Sequence, residues 1–172
     1  MPSKVITNTF SANTKIKSVD VNKNFNDNRT HTGGKMYKVA DQINLTNGAW
    51  TKVLIDIQVY DNGGGVDTGN NRYTIQVDGY YNIIGQVSWA SANLTANKRF
   101  GCAVYNNGLG VLYGTFHSSS TEFMTTNCSD IQFFSAGDDI ELYAKSDAGN
   151  NNADVDGGNA GFTFLTVTFF GT

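Results

Sequence analysis

Apolar residues recur at every second position through most of this chain, and that period leaves few folds open. Val53, Ile55, Ile57 and Val59 alternate with Asp56 and Gln58. Tyr73, Ile75 and Val77 alternate with Thr74 and Gln76. Tyr81, Ile83, Gly85, Val87 and Trp89 alternate with Asn82, Gln86 and Ser88. Phe100, Cys102 and Val104 keep the same spacing, as do Ile131 with Phe133, and Ile140 with Leu142 and Ala144. Side chains on a strand point alternately to its two faces, so each run predicts a strand with one face on a core. About eight to ten such runs, separated by turn signals such as Asp61-Asn62-Gly63 and Asn106-Asn107-Gly108, predict an all-β sandwich or barrel. The 19 glycines against a single proline fit that architecture, because tight turns need positive φ.

The last run departs from the rule. In residues 162–171, Leu165, Val167 and Phe169 share one face, while Phe162, Phe164 and Phe170 share the other. A strand apolar on both faces is usually covered on both. In a two-layer sandwich only one face meets the core. The second needs a subunit interface, or the chain's own N-terminal segment laid across it. Tyr80, on the opposite strand face from Tyr81, belongs with Phe162, Phe164 and Phe170 as an interface candidate.

Residues 1–34 read as an arm and residues 35–172 as a head. The arm is polar and rich in Asn, Thr and Lys, with few apolar anchors. Ser18 or Asp20 would cap a short helix in which Val21 and Phe25 meet at i, i+4. Thr32-Gly33-Gly34 reads as a linker.

The net charge of -3 argues against nucleic acid and anionic membranes as partners, since both attract basic surfaces. No apolar run is long enough to span a bilayer, and the first ten residues lack the apolar core of a signal peptide. Cys102 and Cys128 fall on neighbouring predicted strands, as two buried thiols or as a pair. Nucleophilic catalysis needs a base beside the nucleophile, and the two histidines, His31 and His117, come with no orienting partner. The acidic pairs a glycan hydrolase would need, among them Asp61 with Asp67 and Asp138 with Asp139, lie in Gly- and Asn-rich turns, where Asp serves the backbone. The reading is therefore of a protein that is not an enzyme. Residues 147–158 concentrate oxygen donors of the kind calcium prefers, with Asp147, Asp154 and Asp156 as candidate ligands. No other cofactor is expected.

Two resemblances sharpen this picture. Residues 70–89, with Asn71, Tyr73, Thr74, Gly79 and Tyr81, resemble the central signature of C1q-like domains of the C1q/tumour-necrosis-factor superfamily. Gly137, Asp138, Ile140 and Leu142 resemble the family's Gly-Asp strand, and residues 162–165 its closing strand, although Thr163 departs from the usual pattern. The likeness covers about residues 36–171. It implies a two-sheet jelly roll of about ten strands, a homotrimer around a three-fold axis and a binding role. It also raises calcium as a candidate, since some such trimers carry it. Residues 7–27, through Thr14, Ile16, Val21, Asn22, Asn24 and Phe25, are similar to N-terminal segments of bacteriophage tail and fibre proteins. That likeness implies a virion component: an arm joined to virion proteins and a trimeric head that meets a host glycan or surface protein, or decorates the capsid. The alternatives are a free bacterial or secreted extracellular C1q-like lectin or signalling module and, more distantly, a glycan hydrolase.

Overall fold

The computed structural model describes residues 32–90, 94, 96–118, 123–149 and 153–172. The helix read at Val21 and Phe25, and His31, lie outside these residues.

The longest alternating run becomes the spine of the molecule. It forms β7 (Gly79–Trp89), in which Tyr81, Ile83, Gly85, Val87 and Trp89 are all buried. One edge of β7 pairs along its whole length with β10 (Met124–Phe134). The other edge pairs with β13 (Phe164–Gly171), followed by β1 (Gly33–Tyr37) and β4 (Ile57–Asn62). Beyond β13, β12 (Ala153–Val155) meets the end of β7 and leads to β2 (Gln42–Leu45). These seven strands form one antiparallel sheet.

The second sheet has six strands, ordered β5 (Val66–Asp67), β6 (Arg72–Thr74), β11 (Asp139–Ser146), β8 (Arg99–Asn106) and β9 (Leu109–His117), with β3 (Thr51–Lys52) also on β11. The described strands number thirteen rather than ten, and two of them, β3 and β5, are only two residues long. Asn107 and Gly108 join β8 to β9 with φ of 50° and 79°, the double positive-φ turn whose twist suits a two-residue hairpin.

The core lies between the sheets. Trp89, Tyr81, Ile83 and Leu165 of the first sheet meet Phe100, Leu142, Ile140 and Tyr73 of the second, each essentially inaccessible to solvent. Each such side chain contributes roughly 1.5–3 kcal/mol of burial. Trp89 packs edge-on to Phe100 at 5.0 Å and donates its indole N–H to Thr126 Oγ1 at 3.1 Å. The polar end of this large side chain is therefore satisfied inside the core.

Three expectations are corrected. Gly33 and Gly34 are not a linker; they open β1, paired with Thr168 and Val167 of β13. Ile131 and Phe133 alternate as read, but they point away from the core, which takes Phe134, Cys128 and Thr126 from β10 instead. Val59 and Val77 are exposed: the pairing of β4 with β1 shifts register beside Val59, and Val77 lies in the bend before β7.

Candidate functional site

Each sheet buries one face in the sandwich and turns the other outward. The two outer faces are built from different chemistry.

On the seven-stranded sheet, strand register sets the outward positions. Phe133 faces Tyr80, and Tyr80 pairs with Gly171 next to Phe170. Ile131 lies opposite Asn82. Ile84, Thr166, Lys35 and Tyr60 form another row, and Phe164 pairs with Tyr37. Tyr80, Phe133, Phe170 and Ile131 are 48%, 55%, 55% and 45% exposed, far more than such residues usually are. The Tyr80 and Phe133 rings meet edge to face at 5.6 Å. Across β10, β7, β13, β1 and β4, Lys35 is the only charged residue that register places on this face, and its Nζ lies 4.1 Å above the Phe164 ring.

The interface candidates fall here. Tyr80, Phe164 and Phe170 share the face. Phe162 lies just before β13, its ring 5.6 Å from Phe123 and its carbonyl accepting Gln86 Nε2 at 2.8 Å. Sequence reasoning missed Phe133 and Ile131 as members. Their alternation was visible, but alternation alone does not say which face meets the core.

The six-stranded sheet carries ion pairs on its outer side. Arg72 bonds Asp67 at 3.2 Å and also Asp139, which accepts from Thr74 Oγ1 at 2.8 Å. Lys52 reaches Glu141 at 2.5 Å, and Arg99 reaches Asp147 at 2.7 Å. Tyr105 stacks on Tyr143 at 3.9 Å, and Trp50 lies 5.5 Å from Tyr113. Burial raises the Tyr143 pKa, helped by the Glu141 carboxylate beside it. A shallow pocket of about 160 Å³ opens between Trp50, Arg99, Gly101, Thr115, Lys145 and Asp147.

The calcium candidates have separate partners. Asp147 takes Arg99, and Asp154 Oδ1 accepts the Asn44 N–H at 2.7 Å. Asp156 faces Asp41, and burial together with that neighbour raises its pKa. Among the described residues no three His, Cys, Asp or Glu side chains come together to hold a metal ion. The turn aspartates serve the backbone: Asp61 accepts the N–H groups of Gly64, Gly65 and Val66. His117 ends β9 on the surface. Cys102 and Cys128 are both buried, free thiols with Sγ atoms 3.4 Å apart. Burial pushes the Cys102 thiol well up, so Cys102 stays protonated.

No family model matches the chain, and no curated protein matches it. Solved structures do. Murine APRIL at pH 5.0 superposes with a TM-score of 0.62 at 16% identity, covering 81% of this chain and 99% of that one. The globular domain of zebrafish complement 1qA gives 0.58 at 8% identity, covering 82% and 99%. Eiger TNF from S. frugiperda gives 0.61 at 9% identity, covering 83% and 94%. Identities this low speak to fold alone. The chain is thus an all-β, two-sheet jelly roll of the C1q/TNF type.

Proposed function

We propose that the protein is a homotrimeric binding module, not an enzyme, with the outer face of the seven-stranded sheet as its subunit contact. One observation carries this reading: that face exposes Tyr80, Phe133, Ile131 and Phe170 and carries Phe164 beneath the Lys35 cation. An exposed apolar patch of this kind marks an interaction surface. A closed ring of identical copies covers the same patch on every subunit, and the C1q/TNF resemblance supports three copies.

The proposed setting is a virion. Residues 1–34 attach the trimer to phage tail, fibre or capsid proteins, and the head contacts a host surface glycan or protein or stabilises the particle. The support is the likeness of residues 7–27 to phage tail and fibre arms. A free extracellular lectin or signalling module is the second reading, favoured by the neighbours that cover the head. Light scattering after size exclusion tests the trimer. Deleting residues 1–30, which leaves β1 and the Thr32 contacts whole, separates the settings: a head that stays trimeric but no longer enters particles supports the arm, and unchanged incorporation rejects it.

A further inference from the structure

We infer that the outer face of the six-stranded sheet binds a carboxylated pyranose unit of a glycan, seated on Trp50 and held by Arg99, Lys145 and Thr115. The inference deepens the reading of the head as a binding module and does not depend on its oligomeric state.

The seat is made by an absence of side chain. A Cβ on Gly101 would lie 2.8 Å from Trp50 Cη2, so the indole rests against bare backbone of β8. Tyr113, 57% exposed, flanks it at an interplanar angle of 59°. An aromatic face of this kind suits the C–H side of a sugar ring.

Charge selects the ring. Arg99 donates from both Nε and Nη2 to one oxygen of Asp147, at 2.8 and 2.7 Å. Lys145 stands 3.7 Å from the other oxygen, a looser contact than a hydrogen bond. Two cations thus share one carboxylate, leaving a local charge of plus one on a chain whose net charge is -3. That excess matches a monoanion such as a carboxylate. It falls short of a phosphate monoester, which carries about 1.5 to 2 negative charges near neutrality. With the Nε/Nη2 edge of the guanidinium on Asp147, its Nη1/Nη2 edge remains to donate a pair of hydrogen bonds to a ligand carboxylate.

Size sets the extent. At about 160 Å³ the pocket is smaller than the roughly 300 Å³ at which drug-sized ligands are enclosed. It takes one ring of a chain whose neighbouring units lie over the sheet.

The test titrates the full chain with an oligosaccharide of alternating glucuronic acid and N-acetylglucosamine, and with the same oligosaccharide after its carboxylates are reduced to alcohols. Trp89 is fully buried, so of the chain's two tryptophans Trp50 reports on the pocket by its emission. The expected result is a saturable change with the acidic form, at least tenfold weaker binding of the reduced form, and weakening by salt. Lys145→Gln and Trp50→Ala, each checked for an unchanged far-UV spectrum, should each lower affinity at least fivefold. Lys145→Gln keeps the test open if Trp50→Ala fails to fold. Equal binding of both oligosaccharides, no saturable response to the acidic one, or wild-type affinity in folded Lys145→Gln would overturn the site. Binding of the reduced form alone would retain a binding module and remove this site, so the two failures are distinguishable.

Discussion

The two outer faces of this sandwich are the two halves of one design, and they differ in what covers them. Across β10, β7, β13, β1 and β4, aromatic and aliphatic side chains stand outward among uncharged polar ones, with one lysine among them. On the six-stranded sheet, five strands (β3, β5, β6, β8 and β11 with the residue that follows it) exchange ion pairs: Lys52 with Glu141, Arg72 with Asp67 and Asp139, Arg99 with Asp147. Both faces back onto one buried core, so the contrast lies in their outer chemistry. Ion pairs keep a surface wet and cost little to leave exposed, whereas exposed aromatic rings gain by being covered. The first face reads as protein-covered and the second as open to solvent and small ligands.

The largest effect should come from charging the apolar face. Tyr80→Asp with Phe133→Asp would place two carboxylates in the proposed contact, and the particle mass should fall threefold while the far-UV circular dichroism stays that of a β protein. The control sits on the other face: Tyr113→Asp should leave the mass unchanged. A loss of assembly in the control, or its survival in the double variant, would erase the distinction between the faces.

The seam between the two sheets comes next. A Cβ on Gly114 of β9 would fall 1.8 Å from the carbonyl oxygen of Asn127 on β10. Backbone cannot yield that far cheaply, so Gly114→Ala should cost about 3 kcal/mol, the upper range of overpacking. At roughly 2–4 °C per kcal/mol for a chain of this size, calorimetry should show a drop of around 10 °C. Both faces depend on that seam, and an unchanged transition would mean that the sheets are joined differently.

A smaller loss is expected on the ionic face. Glu141→Ala breaks the contact with Lys52, whose side chain is 28% exposed. A partly exposed pair is worth about 1 kcal/mol or less, reduced further by salt. The transition should shift by a few degrees and the particle mass should not move.

The smallest effect concerns Asp156 beside Asp41. Its carboxyl pKa is raised in the folded protein, by burial first and then by Asp41. A raised pKa favours the protonated form, so the fold gains most below the unfolded carboxyl pKa and loses that gain as pH rises through the folded value. Asp156→Asn should therefore raise the thermal midpoint slightly at pH 7 and leave it unchanged near pH 3. A lower midpoint at pH 7 would show that the charged form is the one stabilised.

Much of the fold was legible because period two is a local property. The runs through Tyr81 to Trp89, Phe100 to Val104 and Ile140 to Ala144 are buried as their spacing required. So was the doubly apolar last strand, whose second set, Phe164 and Phe170, lies on the outward face beside Tyr80. What period two cannot supply is the sign of a face. Ile131 and Phe133 follow the pattern as faithfully as Ile140 and Leu142, yet one pair is exposed and the other buried. The register shift that leaves Val59 on the surface has no local signature either. The pocket was out of reach for another reason: Trp50, Gly101, Thr115 and Lys145 come from four separate segments, joined only by strand pairing. Arg99 and Lys145 likewise meet Asp147 only through that pairing.

The contrast between the faces rests on one being covered by copies of the same chain. The direct measurement is the absolute mass of the purified wild-type protein at micromolar concentration, by light scattering coupled to size exclusion. Three times the 18.6 kDa chain mass is the expected value. A folded particle of 18.6 kDa would leave Tyr80, Phe133 and Phe170 uncovered in solution and contradict the account.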